Sequence, residues 1–193
     1  MSSPFSLPYS LTGKNEQAQS VASRQAAKMV TNTSKATQAA IRSVIVKSIR
    51  EGQPVYDSAK QIRAMVGMNE PQAMAAANYR RELIDSGLSE ARVDTLFDRY
   101  VEKKIRERAT MIARTETLQA LGEGEREEWK SAQEEGLLGK DARIEWMGTA
   151  DEHMCDDCTE LDGTSVPMGD SFPGGVEGPP LHPSCRCSAV VVP

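Results

Sequence analysis

Apolar side chains are spaced as one helical face over much of the first two thirds of the chain. Within residues 16–49, a stretch rich in Ala and free of Gly and Pro, Ile41, Val44, Ile45 and Ile49 recur at i, i+3, i+4 and i+8. The polar run Thr31-Asn32-Thr33-Ser34 competes for backbone hydrogen bonds and is where this helix is expected to divide in two. Gly52 and Pro54 then punctuate the chain, and a short helix is predicted over 56–66, with Gly67 as its C-terminal cap. In Asn69-Glu70-Pro71-Gln72, Asn69 can cap, Pro71 suits a first turn and Gln72 can reach back, predicting a helix to about 86 that Gly87 ends. Ser89 can cap the next and longest helix. Its stripe is Val93, Leu96, Phe97, Tyr100, Val101, Ile105 and Ile112, with no firm stop before Gly122 or even Gly136.

Past Gly139 the period changes to two: Ala142, Ile144 and Trp146 alternate with Arg143, Glu145 and Met147, and Gly, Pro and Asp become frequent. Strands are expected at 142–147, 164–166 and 188–192. The expected fold is therefore mainly α: an extended helical body over 15–140, then a small C-terminal α+β Cys/His module over 141–193. Pro4, Pro8 and Gly13, among Ser and Thr, mark residues 1–14 as an extended or disordered arm that needs a partner to become ordered.

Composition sharpens this picture. Of 193 residues 39% are hydrophobic but only 5% aromatic, so the core is built from Ala, Leu, Ile, Val and Met, which suits packed helices. The formal net charge of −5 is uneven: residues 141–193 hold ten Asp and Glu against two Arg, and residues 1–140 hold 21 basic against 18 acidic side chains. Phosphate binding depends on Lys and Arg, so the acidic tail is poorly suited to nucleic acid. No apolar run approaches the 18 or so residues of a membrane span, and the N-terminus lacks the basic start and apolar stretch of a secretion signal. Synthesis in a reducing cytoplasm is expected, where clustered cysteines bind metal more often than they form disulfides.

That cluster reads His153-Met154-Cys155-Asp156-Asp157-Cys158, a spacer of 23 residues, then His182-Pro183-Ser184-Cys185-Arg186-Cys187. Cys-x-x-Cys lets two sulfurs reach one ion from a tight turn, and zinc takes four N or S ligands in a tetrahedron. Cys155, Cys158, His182, Cys185 and Cys187 compete for four places around one structural zinc ion, with His153 a sixth and weaker candidate. Saturated thiolate coordination leaves no open position for water, which argues against a catalytic metal. Both histidines lie in this cluster, so no Ser or Cys elsewhere has a nearby base, and no catalytic residue is assigned.

Around Arg106-Glu107-Arg108 and Arg114-Thr115-Glu116 the bland expectation is solvated ion pairs worth a few tenths of a kcal/mol. The alternative is that Arg114 and Glu116 anchor the Cys/His module against the long helix. Asp151, Glu152, Asp156 and Asp157 are expected to be a solvated loop rather than a hard-cation site.

Several of these stretches are familiar in combination: Ile112-Ala113-Arg114-Thr115-Glu116, Trp146 ahead of Cys155-Asp156-Asp157-Cys158, Leu161-Asp162-Gly163, and Gly178-Pro179-Pro180-Leu181-His182-Pro183-Ser184-Cys185-Arg186-Cys187. With Gly67-Met68-Asn69-Glu70-Pro71 and Gly87-Leu88-Ser89 they resemble the phage Mu F-like, or head morphogenesis, family of minor head proteins, over residues 50–193. His153 departs from the basic Arg of the family pattern. The resemblance implies a virion protein of few copies that associates with the portal or capsid of a tailed phage during assembly in the host cytoplasm, with packaged DNA a further partner. It involves no membrane, and the long helices allow self-association. Alternatives from other classes are a zinc-stabilised nucleic-acid-binding module and a hydrolase carried in the head.

Overall fold

The computed structural model describes residues 33–149, 151–152 and 154–192; the expectations for residues 1–32 and for His153 lie outside them. Helix α1 (Lys35–Glu51) begins at Ser34, whose side chain accepts from the backbone N–H of Thr37 at 3.1 Å. The polar run thus provides a helix start. Ile41, Val44 and Ile45 line the buried face, as their spacing demands.

Helix α2 (Val55–Arg63) stops earlier than 66, and Gly67 is not its cap. The chain leaves the helix at Ala64 so that Val66 can enter the core, and the Gly67 carbonyl accepts a hydrogen bond from the Arg108 guanidinium at 3.1 Å. Arg108 is 5% exposed, so it is no solvated surface charge. A buried hydrogen bond from Ser58 Oγ to Ser48 Oγ, 2.7 Å long, joins α1 and α2.

Helix α3 (Glu70–Asp85) opens with the expected capping box. Asn69 Oδ1 accepts from Gln72 N at 3.0 Å and Gln72 Oε1 accepts from Asn69 N at 3.1 Å. Asn69→Ala removes one half of this exchange and is expected to destabilise the protein by about 1 kcal/mol, measured by denaturant unfolding.

Helix α4 (Glu90–Glu134) runs 45 residues, about 67 Å at 1.5 Å per residue. Ser89 is its N-cap residue, though its side chain makes no capping bond. Helices α1, α2 and α3 all pack on α4. The main helical core joins Ile41, Val44, Ile45, Ala59, Ile62 and Val66 to Ala109, Ile112, Ala113 and Ala120. Small residues on α4 are what let its neighbours approach.

The remaining chain forms a three-stranded antiparallel sheet ordered β2-β1-β3, from β1 (Arg143–Met147), β2 (Ser165–Pro167) and β3 (Ser188–Val192). Ile144 pairs with Val166 on one side and with Val191 on the other. Ile144 and Trp146 project into a second core with Leu161, Phe172 and three cysteines, and Trp129 of α4 packs against it. The protein is thus mainly helical with a small sheet at its C-terminal end, and α4 contributes to both cores.

Where α4 meets this end the packing is close. A Cβ on Gly122 would lie 3.0 Å from the Pro179 carbonyl oxygen. The guanidinium of Arg126, paired with Glu123 at 3.0 Å, occupies the space a side chain on Gly178 would need. In an open helix Gly→Ala gains about 0.8–1.0 kcal/mol. Gly122→Ala is expected to reverse that sign, because displacing buried backbone typically costs about 1–3 kcal/mol and outweighs the gain; the midpoint of thermal unfolding decides it.

Candidate metal centre

Two tight turns bring the sulfur and imidazole groups together. The first precedes α5 (Asp156–Leu161): Cys155 is the N-cap residue and Cys158 lies in the helix on its buried side. The second is the segment 182–185, closed by a hydrogen bond from Cys185 N to His182 O at 3.0 Å, with Ser184 at φ 65°. Cys187 follows immediately before β3.

His182 Nε2 lies 3.2 Å from Cys155 Sγ and 3.4 Å from Cys158 Sγ, and Cys158 Sγ lies 3.8 Å from Cys185 Sγ. Two triads of potential ligand atoms result, Cys155–Cys158–His182 and Cys158–Cys185–Cys187, sharing Cys158. In a tetrahedron with Zn–S of about 2.3 Å and Zn–N of about 2.0–2.1 Å, sulfurs sit about 3.8 Å apart and sulfur and nitrogen about 3.6 Å. The observed separations are close to those edges. Furthermore, His182 Nδ1 is 2.9 Å from the Pro183 carbonyl, which can only accept, so Nδ1 carries a proton and Nε2, the nitrogen beside the sulfurs, is the one that can bind a metal. The donor set, its spacing and the Nδ1 hydrogen bond of His182 fit a zinc ion.

The electrostatics differ from one donor to the next. The backbone N–H of Cys158 beside Cys155 holds that thiol below its usual value, and burial pushes the thiols of Cys158 and Cys187 up. At Cys185 burial is outweighed by the backbone N–H groups of Cys187 and Leu181, leaving its thiol lowered. The Pro183 carbonyl raises the pKa of His182. Crowded thiols oppose each other's ionisation, an opposition that a dication relieves.

The acidic residues flanking the first turn play a different part. Asp151 forms a two-pronged ion pair with Arg186, tying the loop before Cys155 to the second turn, and Asp156 and Asp157 are exposed. No carboxylate among the described residues joins either ligand triad. In the long helix, Arg114 is exposed while Thr115 and Glu116 are buried, and Thr115 Oγ1 accepts from Ser184 N at 3.1 Å. Contact between α4 and the second turn thus includes Thr115, which spacing alone did not single out.

The model of the family described as phage Mu protein F like protein matches residues 39–190, from within α1 to β3. The chain belongs to that family. The match begins before residue 50, where the recognisable motifs start, and takes in the helices as well as the Cys/His cluster of this Mu F-like protein. Membership suggests a structural protein of the phage head and not an enzyme family. No curated protein and no solved structure matches the chain. No helix among the described residues of this Mu F-like protein is long and apolar enough to cross a membrane.

Proposed function

We propose that this Mu F-like protein is a minor structural component of a tailed-phage head, docking on the portal or inner capsid during assembly, with one structural zinc holding its C-terminal end. The observation that carries this reading is the family match, which runs through the α4 scaffold and the Cys/His cluster together. Helices α1 to α4 supply a rigid body for docking. The end module over 141–193 has few apolar residues of its own and depends on the metal, as small Cys/His domains do.

Affinity isolation from cells producing the phage, with identification of what co-purifies, tests the assignment. Portal or capsid protein in the eluate, and the chain itself in purified virions, is the expected result. Virions without the chain would contradict it. Recovery of nucleic acid, with affinity falling steeply as salt rises, would favour DNA near the packaging channel as the partner.

A further inference from the structure

The second turn of the metal centre rests on α4. Building on the zinc reading above, we propose that Thr115 is a positioning residue of that centre: its hydroxyl holds the turn that carries His182 and Cys185 in its metal-binding shape, and so couples zinc affinity to the long helix.

Three positions of α4 carry the contact. Thr115, Gly122 and Arg126 stand at i, i+7 and i+11, which is one face of a helix. Segment 178–184 lies along that face. The Arg126 guanidinium fills the space over Gly178, the Pro179 carbonyl oxygen sits where a side chain on Gly122 would meet it, and the backbone N–H of Ser184 donates to Thr115 Oγ1 at 3.1 Å. His182 stands two residues before Ser184 and Cys185 one after it, and each belongs to one of the two ligand triads.

The turn depends on being held. Ser184 has φ 65°, and among the described residues it is the only one other than glycine with a positive φ. A serine lacks the freedom of glycine there and is kept in left-handed backbone by what surrounds it. The hydrogen bond from Cys185 N to His182 O closes the turn, and the bond to Thr115 anchors it to a helix 69 residues away. Thr115 is 3% exposed, so water has little access to take the place of its oxygen. Without that acceptor the Ser184 N–H is left unpaired while the turn keeps its metal-binding shape, whereas a loosened turn can present the group to water. The loss therefore falls on the metal-bound state and weakens zinc binding rather than the helical core. Linkage makes the effect mutual: zinc protects the bond from Ser184 to Thr115 by the factor with which that bond strengthens zinc binding.

Zinc affinity of the full-length chain, measured by competition with a chelator for Thr115→Val, Thr115→Ser and Thr117→Val, tests this together with hydrogen exchange at the Ser184 amide. Valine keeps the shape of threonine and removes the acceptor, and affinity is expected to fall about 10–100-fold, the range for groups that hold a metal ligand in place. Thr115→Ser, which keeps a hydroxyl, restores most of the affinity. Thr117 is also buried, but its hydroxyl has no hydrogen-bond partner among the described residues, and Thr117→Val leaves affinity unchanged. Adding zinc to the wild type slows exchange at Ser184, and that slowing is lost in Thr115→Val. Should Thr115→Val not fold, Thr115→Ala, a better helix former, carries the same readouts. Wild-type affinity in Thr115→Val, or a Thr115→Ser protein as weak as the valine variant, overturns the proposal while leaving the structural zinc intact. Wild-type protein that takes up no zinc overturns the zinc reading, and the proposal with it.

Discussion

Cys158→Ser is expected to abolish stoichiometric zinc binding and unfold the chain from about residue 141 onward, leaving the helical core in place. Cys158 is the corner common to both ligand triads, so no alternative set of four retains good geometry without it. The apolar content of the second core beyond the cysteines is small: Ile144, Trp146, Leu161 and Phe172, with partly buried neighbours. Apparent binding energies of structural zinc in small domains are about 10–16 kcal/mol, far more than these side chains can replace. Hydrogen exchange should show amides of β1 and β3 losing protection while α1, α2 and the middle of α4, which share their own core, keep theirs. Asp156→Ala and Asp157→Ala, at exposed positions, should leave both zinc and protection unchanged. A Cys158→Ser protein that keeps its zinc and its protected strands would rule out the structural role of the metal.

Trp146→Ala should have the next largest effect, a loss of about 3–5 kcal/mol of stability in the C-terminal end. The indole is fully buried and meets Phe172 edge to face, with ring centroids 5.3 Å apart. Its removal opens a cavity in the core that the sheet shares with Cys158, Cys185 and Cys187. Met147, the next residue of β1, is 44% exposed, and Met147→Ala should change stability by no more than about 0.5 kcal/mol. Guanidinium unfolding followed by the fluorescence of Trp129, the remaining tryptophan, provides the comparison.

How much of this was legible in the sequence follows from the range of each interaction. The capping box at Asn69 and Gln72 and the alternation of β1 are local patterns, and the structure has them. The end of α2 was misplaced because burial of Val66 and the Arg108 hydrogen bond to Gly67 act across 41 residues of sequence, which no local signal records. The continuity of α4 through Gly122 and Gly124 comes from packing on both sides rather than from propensity. At the metal centre, spacing picks out Cys155, Cys158, His182, Cys185 and Cys187, and the fold brings all five into two overlapping triads. What spacing could not express is that Thr115 bonds the second turn, since that contact spans 69 residues of sequence.

The most direct test of the account is elemental analysis of the chain recovered from purified phage particles. About one zinc per chain, in particles that contain the protein, is the predicted result for a single structural tetrahedral site. Particles lacking the chain, or a chain recovered from them without zinc, would contradict it.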